Sequence, residues 1–205
     1  MKVTDILNEI KKSPGANEKK RILSENEENP LLKMSLKMAL DPFMPFNIVK
    51  VPKVKDTERR QGPNESLRWD AFFQTAELCA KRKITGNKAV QAMHAAFLNA
   101  TEEEEVWMRK ILKKHLAIGV SIKTANKVFP KLIPTFDVSL AQKFDIKRLE
   151  GQQSVFVEPK LDGIRCFSIV RDGEVLMFAR SGKLIKNFDN TIAPELLKMG
   201  DGCYD

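Results

Sequence analysis

Two prolines, Pro130 and Pro134, divide this 205-residue chain into stretches whose apolar residues repeat with different periods. Upstream the spacing is helical. Val3, Ile6, Leu7 and Ile10 form one amphipathic stripe that Pro14-Gly15 closes. A second helix is predicted from about Asn17 to Glu28 around Ile22 and Leu23. Asn29-Pro30 supplies a cap and first turn for a third, which Asp41-Pro42 stops after Leu40. Residues 41–65 contain Pro42, Pro45, Pro52 and Pro63 with Lys50, Lys53, Lys55, Arg59 and Arg60, and read as an extended, solvated basic connector.

Helices resume at about Ser66, with Leu67, Phe72, Phe73, Ala76 and Cys79 on one stripe and Trp69 in the core. Asn87 is placed to cap a helix to Leu98 that buries Ala89, Val90, Met93 and Phe97. Thr101 and Glu104 make a capping box for a helix carrying Val106, Met108, Ile111, Leu112 and Leu116 to a stop at Gly119. The acidic run Glu102 to Glu105 suits that helix's N-terminus and needs no other role. Ser121 then caps a new helix bearing Lys123 and Lys127. Unpaired N–H groups at such a start, beside Gly119 and these lysines, form a candidate clamp on a phosphate backbone; a plain helical hairpin is the competing reading.

Beyond Pro134 the pattern alternates. Ser154–Val157 reads as a short strand. Ile164–Val170 and Val175–Ala179 flank Asp172-Gly173, a strong two-residue hairpin signal. A helix is expected over Asn190 to Met199 with Pro194 in its first turn. The fold class is therefore α+β: an all-helical domain over 1–130, a linker and domain start over 131–150, and an antiparallel-β-rich region over 151–205.

Charge follows the same division. Residues 1–130 hold 24 Lys+Arg against 16 Asp+Glu, and residues 131–205 hold 11 of each, so the whole excess of +8 lies in the helical part. A basic domain ahead of a neutral one suggests that the first grips a polyanion. No stretch is apolar enough for a membrane span or secretory leader, which points to an intracellular, cytoplasmic protein with no membrane partner. Cys79, Cys166 and Cys203 are odd in number and lack metal-ligand spacing, so reduced, buried thiols rather than a disulfide or zinc site are expected from them.

The chemistry-bearing stretch is Glu158-Pro159-Lys160-Leu161-Asp162-Gly163-Ile164-Arg165, a lysine between an apolar run and an Asp-Gly turn. A lysine amine attacks only when deprotonated. Its pKa of roughly 10.4 must fall by about three units, on the order of 4 kcal/mol, for half of it to be neutral near pH 7. Desolvation and a cationic neighbour both push that way, and Arg165 is a nearby permanent cation.

Lys-x-Asp-Gly-x-Arg, here Lys160, Asp162, Gly163 and Arg165, resembles the nucleotide-attachment motif of the covalent nucleotidyltransferases: ATP-dependent DNA ligases, RNA ligases and mRNA capping enzymes. Arg82-Lys83-Ile84-Thr85-Gly86-Asn87 and Ala125-Asn126-Lys127-Val128-Phe129-Pro130, with Leu132-Ile133-Pro134, look like stretches of the N-terminal DNA-binding domain of ATP-dependent DNA ligases of the T-even phage type. Arg180-Ser181-Gly182 resembles the next short ligase motif.

The resemblance implies an adenylation domain with Lys160 as nucleophile. Glu158 and the Leu161 backbone would recognise adenine, Arg165 would contact ribose or phosphate, and Arg180 phosphate. Lys83, Gly119, Ser121, Lys123 and Lys127 would grip DNA. It also implies ATP and Mg2+, the metal's ligands being expected beyond residue 205, and a monomer acting on nicked double-stranded DNA, in a host's cytoplasm if the source is viral. Gly200 to Asp205 stops where the family pattern continues with Gly-Glu and later motifs, so an incomplete catalytic unit that seals nicks poorly is expected. An RNA-directed ligase, a capping enzyme and a non-catalytic DNA-binding remnant stay open.

Overall fold

The structure is a computed structural model, and it describes the chain except residues 61, 137–142, 144, 152, 158 and 160–162 and the side chain of Arg148. The chain divides into two compact units, residues 1–134 and 135–205. The first is helical: α1 Val3–Lys12, α2 Ala16–Glu25, α3 Pro30–Leu40, α4 Glu65–Ala80, α5 Gly86–Leu98, α6 Glu102–Leu112 and α7 Ile122–Val128. The second holds an antiparallel sheet of β1 Cys166–Arg171, β2 Glu174–Ala179, β3 Leu184–Ile185 and β4 Gly202–Tyr204, in the order β3-β2-β1-β4, with α8 Ala193–Met199.

Four of the described α-helices start at side chains that satisfy otherwise orphaned N–H groups. Asn29 accepts from Leu32 N at 3.0 Å, Asn64 from Leu67 N at 3.1 Å and Ser121 from Thr124 N at 3.1 Å. The Thr101–Glu104 capping box forms as expected. At α5 the cap position is Thr85 and Asn87 lies inside the helix, so the expected Asn87 cap is not made. Val3, Ile6, Leu7 and Ile10 are fully buried, and Trp69, Phe72, Phe73 and Phe97 meet in one aromatic cluster with ring centroids 5.5–6.3 Å apart. Leu67 and Val106, expected on buried stripes, are exposed instead.

Residues 41–65 differ from a solvated connector. Phe46 is buried in the helical core, Ile48, Val51 and Val54 pack against it, and three arginines strap the segment down. Arg59 donates to Ala100 O at 3.2 Å and Glu105 Oε2 at 2.6 Å, and Arg109 donates to Pro52 O and to Glu105 Oε1, the latter at 2.6 Å from Nε. Arg68 forks onto Glu104 at 2.8 and 2.7 Å. The acidic run thus splits in two. Glu102 and Glu103 are exposed, as a helix N-terminus alone would have them, while Glu104 and Glu105 are buried ion-pair partners that sequence did not assign.

Another correction concerns α6, which ends at Leu112 instead of continuing towards Gly119. Lys114 adopts φ +56 and its Nζ donates to Met38 O and to Asp41 O at 2.9 Å, tying the end of α3 to this turn. Ala117 and Gly119 also have positive φ, which no helix accommodates. After α7, Asn126 fixes the return of the chain, donating to Ile133 O at 2.8 Å and accepting from Ile133 N at 2.9 Å. Residues 131–134, placed by sequence at the start of a linker, therefore pack with the helices. Phe136 packs in the second unit, its ring 5.8 Å from both Phe167 and Phe178.

In the second unit the two-residue turn forms as its sequence demands, with φ +52 at Asp172 and +79 at Gly173. Val170, Met177 and Leu196 are the buried centre on the face that α8 covers. The strand expected over Ser154–Val157 is not formed. An isolated strand leaves its backbone polar groups to water, no described residue pairs with this one, and Phe156 and Val157 are 99% and 90% exposed.

The carboxylate of Glu104 is 4% exposed and its Arg68 partner 15%, so removing one charge strands the other. Glu104→Ala should cost the helical unit about 3 kcal/mol, against less than about 0.5 kcal/mol for Glu102→Ala. Urea denaturation followed by tryptophan fluorescence measures this unit alone, because Trp69 and Trp107 both lie in it.

Candidate nucleotide and nucleic-acid sites

The register of the β1–β2 ribbon decides what lies at its open end. Cys166 is bonded opposite Ala179 and Phe167 opposite Phe178, so the next pair of positions outward is Arg165 and Arg180. Residues 15 apart in sequence are thereby carried to the same end of the ribbon. Arg180 begins the turn to β3, closed by Gly182 N to Ala179 O and Ala179 N to Lys183 O, both 2.8 Å. Gly182 takes φ +78 in that turn, where a side chain would be strained. Arg180 is exposed and has no ion pair among the described residues.

Arg165 is differently placed. Its Nε donates to Asp205 Oδ1 at 2.6 Å and its second nitrogen donates to Oδ2, a two-bond fork. The bond to Asp205 raises the guanidinium above its ordinary range, and the bond to Arg165 holds the Asp205 carboxyl below its own. The cation expected to depress the pKa of Lys160 is thus itself paired, which shortens the reach of its field. Asp205, 40 residues away, carried no signal in the sequence.

Glu158, Lys160 and Leu161 lie outside the described residues, as does Asp162. The chain runs from them through exposed Gly163 and Ile164 directly into Arg165 and β1. Among the described residues no group of three or more His, Cys, Asp or Glu side chains could hold a metal ion. Burial pushes the Cys79 thiol up, Cys203 is exposed against the expectation of buried thiols, and no described cysteine is in a disulfide.

In the helical unit, Gly119, Ser121, Lys123 and Lys127 share one exposed loop-and-helix element. Gly119 has φ +67, and a Cβ placed on it would lie 2.5 Å from Lys19 Nζ, which donates to Ile118 O at 2.8 Å. The positive φ favours glycine there, and a larger residue would displace the Lys19 amine. Lys123 and Lys127 are four residues apart, hence on one side of α7, and both are exposed. The Ser121 hydroxyl is engaged in capping. Lys83 belongs to another part of the unit, the turn between α4 and α5, where its N–H donates to Leu78 O at 2.9 Å and its side chain is exposed. No described hydrogen bond or ion pair joins it to the Gly119 loop. Lys19 and Asn126, which brace that loop and the exit from α7, were not singled out from sequence because their partners, Ile118 O and the Ile133 backbone, are set by packing. No helix among the described residues is long and apolar enough to cross a membrane.

No protein-family model matches the chain. It is 30% identical over 202 residues to a DNA ligase of Enterobacteria phage T4, a match covering 96% of this chain and 41% of that protein, and the same figures hold for a DNA ligase of Enterobacteria phage T6. Solved structures named Pmar-Lig_PreS3 and Pmar-Lig_Pre are 33% identical, with TM-scores of 0.71 and 0.72. They cover 97% and 98% of this chain, which spans 47% and 48% of theirs. The chain therefore spans less than half the length of each relative it matches.

The Arg165–Asp205 fork is in place while Asp205 is ionised. Its contribution to holding β4 is complete above the ordinary carboxyl value of 3.8 and is lost as pH falls through the lowered one. A carboxyl-carbon NMR titration should find Asp205 titrating below 3.8, and Arg165→Ala should return it to that value.

Proposed function

Taking its relationship to the phage DNA ligases as premise, we propose that this chain is the DNA-gripping and nucleotide-accepting part of an ATP-dependent DNA ligase, acting in repair, replication and recombination. The observation that carries this reading is the coincidence of two independent facts. The sequence match to ligases runs over nearly the whole chain, and the ribbon register puts Arg165 and Arg180 at the same end of the sheet, the end at which the motif stretch joins β1 in sequence.

In the proposed reaction the Lys160 amine attacks the α-phosphorus of ATP, a lysyl N–P bond forms, and the P–O bond to pyrophosphate breaks. AMP then passes to the 5′-phosphate at a nick, freeing the lysine. The adjoining 3′-hydroxyl finally attacks that phosphate and displaces AMP. Each transfer splits a difficult displacement into easier ones. Glu158 and the Leu161 backbone recognise adenine, Arg165 donates to ribose or phosphate, and Arg180 meets phosphate charge. Magnesium would offset the charge of the triphosphate, and the described residues offer no ligand cluster for it.

The basic helical unit holds the duplex by its phosphates through Lys83, the backbone at Gly119 and Ser121, and the amines of Lys123 and Lys127. Such contacts bind any sequence and weaken with salt, as an enzyme that meets nicks in arbitrary sequence requires.

Two measurements test this. Incubation with ATP and magnesium should leave an AMP adduct that tryptic mass spectrometry places on Lys160, absent in Lys160→Ala. Labelling by GTP instead would indicate a capping-type transferase, and no adduct with either nucleotide would leave a DNA-binding protein only. Separately, binding to nicked duplex titrated against salt should give a log–log slope that Lys123→Ala and Lys127→Ala each reduce by about 1, with affinity falling uniformly across DNA sequences.

A further inference from the structure

We propose that the amines of Lys11 and Lys110, held side by side where α1 and α6 pack together, form a second phosphate contact of the helical unit, adjoining the Gly119 loop and occupied by the backbone of the bound duplex. This rests on the reading of that unit as the DNA-gripping part and extends its grip to two further helices.

α1 and α6 lie against one another. Asn8 Nδ2 donates to Glu103 Oε1 at 2.6 Å, and further along both helices Lys11 comes close enough for its charge to act on Lys110. The two helices therefore advance towards the same end. A lysine in a last turn is ordinarily explained by the helix dipole, whose negative pole attracts it. Lys110 departs from that account. Its amine lies 3.8 Å from the centre of the Trp107 ring, which belongs to the preceding turn, so it points away from the terminal carbonyls. The indole face holds an ammonium through its quadrupole and takes none of its hydrogen bonds, which leaves the N–H donors for an anion.

The fold thus keeps two like charges together. Partial burial, and then the charge of Lys11, push the Lys110 ammonium below its ordinary range. Neither lysine has an ion pair among the described residues, and Glu103, on the same face of α6, is bonded to Asn8 instead. A phosphate between the two amines would replace repulsion with attraction. The contact also adjoins the one already described. α2 follows α1 through the corner Ser13-Pro14-Gly15, and Lys19 on α2 donates to Ile118 O at 2.8 Å, so this corner is tied to the loop that presents Gly119. α2 packs on α7 as well. Both contacts therefore lie on connections that touch, as a backbone carrying a closely spaced row of phosphates requires.

Trp107, beneath the Lys110 amine, is one of two tryptophans and serves as the reporter. The other, Trp69, has no hydrogen-bond partner for its Nε1 among the described residues, so Trp69→Phe removes no bond. In the whole chain carrying Trp69→Phe, emission is recorded as nicked duplex or inorganic phosphate is added. Anisotropy of labelled duplex then gives the salt dependence of binding for this chain and for Lys11→Gln, Lys110→Gln and Lys110→Arg made in it, with thermal unfolding confirming each fold. Duplex should shift the Trp107 emission, and Lys110→Gln should abolish the shift. Each Gln variant should lower the log–log salt slope by about 1, while Lys110→Arg keeps it. An unchanged slope in either Gln variant overturns the proposal and leaves that lysine a helix-end charge. So does an emission shift that inorganic phosphate saturates and duplex does not produce, the mark of a site for a small phosphate ligand. A chain that binds no duplex removes the DNA-gripping reading along with this contact, whereas tight binding with unchanged slopes removes this contact alone.

Discussion

Register in the β1–β2 ribbon is the constraint on which the candidate nucleotide site depends. Asp172 and Gly173 both adopt positive φ, and the two-residue turn they form admits one pairing of the flanking strands. A slip of one residue would reverse the faces, taking Val170 and Met177 out of the small core beneath α8 and parting Arg165 from Arg180. The same register lets β4 add to the free edge of β1 and carry Asp205 to the arginine at its head. A turn at one end of the ribbon thus settles which side chains meet at the other.

Three arginines of the helical unit work inside the fold. Arg59, Arg68 and Arg109 are largely buried and matched to Glu104, Glu105 and backbone carbonyls. Planar, forked guanidinium groups suit that work, because each can satisfy several acceptors at fixed angles. Lys83, Lys123 and Lys127 are left in water on turns and on a short helix. Flexible, strongly hydrated ammonium groups suit contact with a polyanion that presents phosphates at varying positions. The positive charge of residues 1–130 thus includes one group that holds the proline-rich segment in place and another on display.

The readings that survived are those whose cause is local. A capping side chain three residues ahead of an N–H, an Asp-Gly pair between alternating runs, and apolar residues every three or four positions all act within one turn of chain, and Asn29, Ser121, Thr101 and Asp172-Gly173 behave as their neighbours demand. Apart from the Asn87 cap, a local miss by two positions, failures came where the rest of the fold decided the outcome. Leu67 and Val106 fit the helical stripe yet face water, because packing selected a different side of the helix. Ser154–Val157 has the composition of a strand and no described neighbour to pair with. Residues 41–65 look solvated only until Arg59 is seen to reach Glu105, and Arg68 and Arg109 to reach back to Pro63 O and Pro52 O, the last across 57 residues.

From its residues alone the chain determined an α+β division at the Pro130 to Pro134 boundary, the positions of most helices, one hairpin and a basic first part, since each of these follows from neighbours in sequence. Tertiary structure decided the rest: that half of an acidic run is a buried ion-pair partner, that the Lys19 amine reaches Ile118 O beside Gly119, and that Arg165 is bonded to a carboxylate 40 residues away while Arg180 is not. Such pairings depend on where the chain returns to itself. Local propensity contains no information about that return, because it is settled by burial of apolar area over the whole unit.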